Sequence, residues 1–218
     1  MLAWMGDVHV GPGNLGGRGI YASRPFEQGE VVVSYELRRL TREEYLALPV
    51  DERLFVHSYG GERWLYPAPA RYANHDDRPN TRQDFDRGCD VAVRRIEVGE
   101  LITLDAREET DRELETFLAA YGRAVDDRDR RRLGALIDPG ATGWVGGSGR
   151  VDRDGIIDAA VGHRFEVRDP TWIIATGRWE AVCSYDGGAG PVTDVLKVVD
   201  GNWQLVLRHA SPAFTPRS

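Results

Sequence analysis

The chain has 218 residues, which suits one large domain or two of about 100 residues each. With 41% hydrophobic and 29% charged residues it has the apolar material for packed cores, and wholesale disorder is excluded. The formal charge of -7 is shared evenly, with 14 arginines against 18 acids in residues 1–108 and 14 bases against 17 acids in the remainder, so neither half offers the dense basic face that direct nucleic-acid binding requires.

In chain order, the first half reads as short strands set between Gly, Pro and Asp. Ile20–Ala22, Glu30–Tyr35, Trp64–Tyr66, Cys89–Val93 and Leu101–Leu104 are each apolar or β-branched and bounded by breakers. One helix interrupts them at Thr41, where Thr41 and Glu44 form the sequence signature of a capping box.

From Asp111 the period changes. Leu114, Phe117, Leu118, Tyr121 and Val125 fall at i, i+3, i+4, i+7 and i+11, one face of an amphipathic helix. A short helix over Arg130–Ile137 is ended by Asp138-Pro139-Gly140, Gly143–Gly149 reads as a loop, and a further helix covers Gly155–Val161. The run Arg128–Arg132, interleaved with Asp129, reads as a solvated helix face. Period-2 alternation follows in Trp179–Tyr185, and Val192–Val199 with Trp203–His209 form a hairpin across Asp200-Gly201, a dipeptide suited to a tight turn. Three helices followed by a curled antiparallel sheet are predicted, with Pro212–Ser218 a frayed tail.

Cys89 and Cys183 lie far apart and fit neither a disulfide framework nor a zinc site. There is no leader-like start and no stretch approaching 18 consecutive apolar residues, so no membrane partner and a cytoplasmic location are expected. Of 28 basic residues only Lys197 is a lysine.

Three ordered motifs carry chemistry: Gly17-Arg18-Gly19-Ile20-Tyr21-Ala22, then Asn74-His75 with Pro79-Asn80 four residues on, then Gly99-Glu100-Leu101-Ile102-Thr103-Leu104-Asp105. Together they resemble the SET-domain methyltransferase family over residues 1–108. The resemblance implies a β-rich fold of small sheets with a knot-like crossing, and S-adenosyl-L-methionine as cofactor. It implies Gly17, Arg18, Gly19, Asn74 and His75 as cofactor-binding residues, and Tyr35 as a catalytic-site tyrosine lining a channel for the lysine side chain of a protein substrate. Tyr59, Tyr66 and Phe85 are further candidates for that wall. Leu104 stands where the family sets the number of methyl groups added. Asp76 and Asp77 replace the Ser-Cys that follows Asn-His in many members, so no structural metal is expected. The family motif closes on a tyrosine whose hydroxyl orients amine and methyl group; this chain has Ala106.

Residues 111–211 resemble the SnoaL-like, or nuclear-transport-factor-2-like, superfamily, on the strength of the helices-then-sheet order and the ending Gly201-Asn202-Trp203-Gln204-Leu205-Val206 to His209-Ala210-Ser211. That implies a cone-shaped α+β barrel. His209 and Asp194, with His163 and Cys183, are its candidate cavity residues; His209 shares the alternating face of Trp203, Leu205 and Leu207 and is expected to point inward. The expectation is an α+β protein of two domains, 1–108 and 109–218. The first is a SET-type protein-lysine methyltransferase, slowed by Ala106. The second is an accessory domain for ligand binding or homodimerisation. The competing readings are an inactive SET scaffold, or an isomerase or hydratase in the C-terminal cavity.

Overall fold

The computed structural model describes residues 6–14, 16–146, 149–162, 164–174, 179–188 and 190–211. The chain forms two compact units, one of residues 1–57 and 64–112 and one of residues 58–63 and 113–218. His163 and the tail 212–218 lie outside the described residues.

The first unit is built from small sheets, as the sequence leads one to expect. Strands β1 (Val8–Pro12) and β2 (Arg18–Ala22) form an antiparallel pair closed by a glycine-rich turn. Strands β3 (Val31–Ser34) and β4 (Arg38–Leu40) lead to helix α1 (Arg42–Ala47), where Thr41 accepts from the Glu44 N–H and Glu44 reaches back to the Thr41 N–H. β5 (Val56–Tyr59) and β6 (Glu62–Leu65) pair with β4 in the order β4-β6-β5, and the turn that joins them at Gly60-Gly61, both at positive φ, is counted with the second unit. After β7 (Asn74–His75) come β8 (Thr81–Asp84) and β9 (Cys89–Ala92), which join β3 in the order β3-β9-β8. β10 (Thr103–Leu104) pairs parallel with β7. Val8, Ile20, Phe26, Val32, Tyr72, Ile96 and Ile102 are buried in one core that holds these sheets together.

The second unit begins within helix α2 (Ala106–Asp126), which starts five residues before the amphipathic period shows because its first turn is polar. Helix α3 (Arg130–Leu136) is capped by Asp129 and runs straight into β11 (Ile137–Val145). The expected loop at 143 is thus strand as far as Val145. Asp138-Pro139-Gly140 stops the helix but not the chain's pairing, because the β11 ladder shifts register between Ile137 and Thr142 and so spares proline an N–H it lacks. β12 (Arg150–Asp152), helix α4 (Arg153–Val161), β13 (Arg168–Ile174), β14 (Glu180–Asp186), β15 (Pro191–Val199) and β16 (Asn202–Ala210) follow.

Six strands make one sheet in the order β12-β11-β16-β15-β14-β13. It is mixed, not purely antiparallel, since β11 pairs parallel to β16. β13 escaped prediction because Asp169-Pro170 breaks its period and, as an edge strand, it has an exposed first half. The β15–β16 hairpin turns at Asp200-Gly201 with φ of 48° and 77°, as the dipeptide predicts. Leu114, Phe117, Tyr121, Leu133, Ile156, Leu196, Trp203 and Leu205 are the buried centre of this unit. Ser58 and Glu113 add a buried polar strut: the Trp203 indole N–H donates to Glu113 at 2.7 Å, the Ser58 N–H donates to Glu113 at 3.2 Å, and the Trp203 N–H donates to the Ser58 hydroxyl at 3.1 Å.

Candidate active site

The three motifs meet around one short stretch, residues 99–105. On one side it bonds to β2, the Ala22 N–H donating to Glu100 O at 3.0 Å and the Ile102 N–H to Ile20 O at 2.8 Å. On the other, β10 pairs with β7 and the Asp76 N–H donates to Leu104 O at 3.0 Å. Buried Asn80 fixes the same stretch. Its amide donates to Leu101 O at 2.7 Å, and its Oδ1 accepts the Thr103 N–H at 2.8 Å.

Asn74 holds the glycine turn. Its Nδ2 donates to Arg18 O at 3.0 Å and to Tyr72 O at 3.1 Å, while its Oδ1 accepts the Asn14 N–H at 3.1 Å. Gly16 and Gly17 stand at φ of 89° and 68°, a region other residues rarely adopt, and a Cβ on either would meet open space. At Gly19, by contrast, a Cβ would strike Leu101 at 2.7 Å. The turn therefore presents open backbone outward and close packing inward. Arg18 donates to the Tyr72 hydroxyl at 3.0 Å.

His75 accepts the Ala106 N–H on Nδ1 at 3.2 Å, which assigns its proton in the neutral ring to Nε2, the nitrogen 3.6 Å from Asp77. Asp105 stands 3.6 Å from His75 Nδ1. The Arg107 guanidinium hydrogen-bonds Asp105 with Nε and Nη2 and holds its carboxyl below the usual range. The motif glycines, Asn74, His75 and Asp105 are therefore joined through short hydrogen bonds and the β2, β7 and β10 backbone.

Tyr35 sits in a buried polar cluster of the same unit, of which sequence reasoning named Tyr35 and Tyr66 and missed the other members. Its ring lies 5.0 Å from that of Tyr66, and Tyr66 packs edge-on against His57 at 5.1 Å. Asp90 and Gln83 face each other across β8–β9, and Gln83 donates to the Tyr66 hydroxyl at 3.3 Å. Tyr35 Oη, Gln83 Oε1 and Asp90 Oδ1 are buried without a well-formed hydrogen bond. Burial first, and the charge of Glu109 second, push the Asp90 carboxyl up to about 8. Burial likewise raises the Tyr35 phenol. Glu109 lies one turn of α2 beyond Ala106 and 3.4 Å from His57. A lone Asp in the apolar run Cys89–Ala92 was the available signal, since an acid at a doubly buried strand position needs a reason.

In the second unit, Asp194 is buried but is not among the residues that line the cavity, and His209 is exposed. Between Leu205 and Leu207, β16 carries one residue more than β15 opposite it, and this bulge reverses the alternation. The inward position is taken by Arg208, which is buried and pairs with Asp194. Cys183 is also buried, and burial pushes its thiol up to about 11.

Residues 17–105 match the family model described as SET domain. Among solved structures, a candidate histone methyltransferase of Plasmodium falciparum is similar at 18% identity, with 45% of this chain and 94% of that one covered and a TM-score of 0.36. A candidate calcium/calmodulin-dependent protein kinase II association domain from Xanthomonas campestris is similar at 16% identity, covering 49% and 89%, with a TM-score of 0.39. A humanized mutant of the Chaetomium thermophilum Polycomb Repressive Complex 2 is similar at 20% identity, covering 47% of this chain and 15% of that one, with a TM-score of 0.37. No curated protein matches the chain. Glycine turn, Asn-His, Pro-Asn and the strand ending at Asp105 all fall within the span that matches the SET domain model.

Proposed function

We propose that the first unit is an S-adenosyl-L-methionine-dependent protein-lysine methyltransferase. The observation that supports this most is the convergence of Gly17–Gly19, Asn74–His75 and Asp105 inside a span that matches the SET model. A cofactor against the turn is supported by Gly16 and Gly17, which leave open space where side chains would stand. Bound there, it would supply an electrophilic methyl group. Gly17, Arg18 and Gly19 would hold it by main-chain groups with His75 beside them, and Asn74 would act by fixing the turn.

The protein's own task is to position an uncharged lysine amine, a contribution that in favourable cases reaches about 7 to 11 kcal/mol. Ala106 has no hydroxyl for it. We assign that role to Tyr35, with Asp90 as the nearby acceptor, because both carry unpaired buried oxygens. Tyr35→Phe is expected to lower methyl transfer by roughly 10²-fold, the usual worth of a positioned polar group. The alternative of a silent scaffold rests on Ala106 alone. Two measurements separate them. Saturating S-adenosyl-L-methionine at 100 times Kd should add about 2.7 kcal/mol of stability, roughly 5 to 11 °C in Tm, and labelled methyl should transfer to lysine-containing protein. A thermal shift without transfer favours the scaffold; no shift removes the cofactor assignment.

For the second unit we propose a SnoaL-like, NTF2-like module that assembles homodimers. Three helices beside a six-stranded sheet support it, as do Ile173 and Val182, directly opposite across β13–β14 and both exposed. Sedimentation that stays monomeric at all concentrations would remove the dimer.

A further inference from the structure

A cavity of about 240 Å³ in the second unit is walled by Val125, Ile156, Ala160, Phe165 and Val192, and Tyr121, Tyr185 and Arg208 also line it. The polar side is a closed network. Arg208 donates Nε to Asp194 Oδ1 at 2.8 Å and Nη2 to Asp194 Oδ2 at 2.6 Å. Nη2 also donates to the Tyr185 hydroxyl at 3.0 Å, and that hydroxyl donates to Asp194 at 3.0 Å. Nη1 donates to the Tyr121 hydroxyl at 2.5 Å.

Counting donors shows what is left. A guanidinium carries five N–H groups, and the four bonds above leave one Nη1–H. Tyr121 accepts from Arg208, so its own O–H proton has no acceptor among the described hydrogen bonds. Asp194 is spent on Arg208 and Tyr185. Burial works against the charge on Arg208, but Asp194 beside it holds the guanidinium well above its ordinary pKa, and burial raises both phenols, so the network is an ion pair with two neutral hydroxyls. The buried end of the cavity thus offers two donors, no spare acceptor and no net charge beside apolar walls, while exposed Arg164 and half-buried Glu166, which is ion-paired with Arg168, line it toward solvent.

We propose that this cavity binds a small, mainly apolar molecule through one neutral carbonyl oxygen, which accepts from the Tyr121 O–H and the remaining Arg208 Nη1–H. A ketone, ester or lactone meets that demand. A carboxylate does not, because its desolvation is uncompensated where Asp194 already neutralises the arginine. A hydrocarbon leaves both donors unpaired.

The test uses the full chain and three probes on one phenylalkyl frame: 4-phenyl-2-butanone, 3-phenylpropionate and butylbenzene, with affinities read by ligand-observed NMR titration. The ketone is expected to bind best. Tyr121→Phe should weaken the ketone about tenfold, the scale of one hydrogen bond, and leave butylbenzene unchanged. Ala160→Phe, which fills the cavity away from the network, should abolish ketone binding while circular dichroism keeps its native form. Equal affinities for ketone and hydrocarbon, a preference for the carboxylate, no binding of any probe, or a ketone affinity indifferent to Ala160→Phe would each overturn the proposal. If Tyr121→Phe fails to fold, the ketone's advantage over butylbenzene and its loss in Ala160→Phe decide the matter alone.

Discussion

Burial takes the Asp90 carboxyl out of water with one oxygen unpaired, and this gives the first unit a pH response of unusual sign. Its pKa rises from an ordinary 3.8 to about 8, so between those values the folded state holds a proton that the unfolded chain has lost. Stability must then fall as pH rises through that window and level off above it. Asp90→Asn keeps the shape and removes the titration. Urea unfolding should find the variant more stable than the parent by about 2 kcal/mol or more at pH 8, the scale of a multi-unit shift discounted for relaxation, with the difference shrinking toward pH 4.5. A difference independent of pH would show that Asp90 is not the titrating group. Ala106 makes a second residue-scale case. With the role assigned to Tyr35, placing a second hydroxyl there by Ala106→Tyr should leave methyl transfer unchanged or lower it; a rise of about tenfold or more, the usual worth of a positioned polar group, would mean that the role stood vacant and that Tyr35 does not fill it.

Among the elements, β16 shows how one extra residue redirects a strand. Strict alternation from Trp203 and Leu205 would aim Leu207 and His209 inward, whereas the bulge aims Arg208 there and turns His209 to solvent. Arg208→Met would leave the Asp194 carboxylate buried without its charge partner, bonded only by the Tyr185 hydroxyl, a loss of about 3 to 5 kcal/mol. Adding Asp194→Leu should recover most of it, since an apolar pair of similar volume commonly replaces a buried ion pair without loss. Denaturant midpoints of the single and double variants check both statements, and a double variant no better than the single would point to the tyrosine hydroxyls as the true dependents. The capping box of α1 is a smaller lever: Thr41→Ala should cost about 1 kcal/mol.

For the molecule as a whole, the near absence of lysine limits what a lysine methyltransferase could do to itself. Lys197 on β15 is the one lysine in the chain, and it is ion-paired with Glu180 at 2.7 Å with 46% of its side chain exposed. Any self-labelling with a methyl-labelled cofactor should map to Lys197 and vanish in Lys197→Arg; label elsewhere in the chain would contradict lysine specificity. The two units also divide the chemistry. Open backbone and a histidine gather in residues 17–105, whereas the cavity with its neutral Arg208 network belongs to residues 113–211.

Local rules made the capping box, the long amphipathic helix and the Asp200-Gly201 hairpin readable in the sequence, because side-chain capping, hydrophobic period and turn chemistry each act over a few residues, while the Gly17–Gly19, Asn74-His75 and Gly99–Asp105 motifs were legible through a family resemblance. They also made plain that Ala106 lacks a hydroxyl. Only the tertiary structure decided that Asn74 braces the glycine turn, that Asp90, Gln83 and Glu109 gather about Tyr35, and that Arg208 rather than His209 faces the cavity. Those outcomes depend on which distant segments pack together and on a single bulge, and neither the desolvation that shifts Asp90 nor the parity change in β16 leaves a periodic trace in the chain.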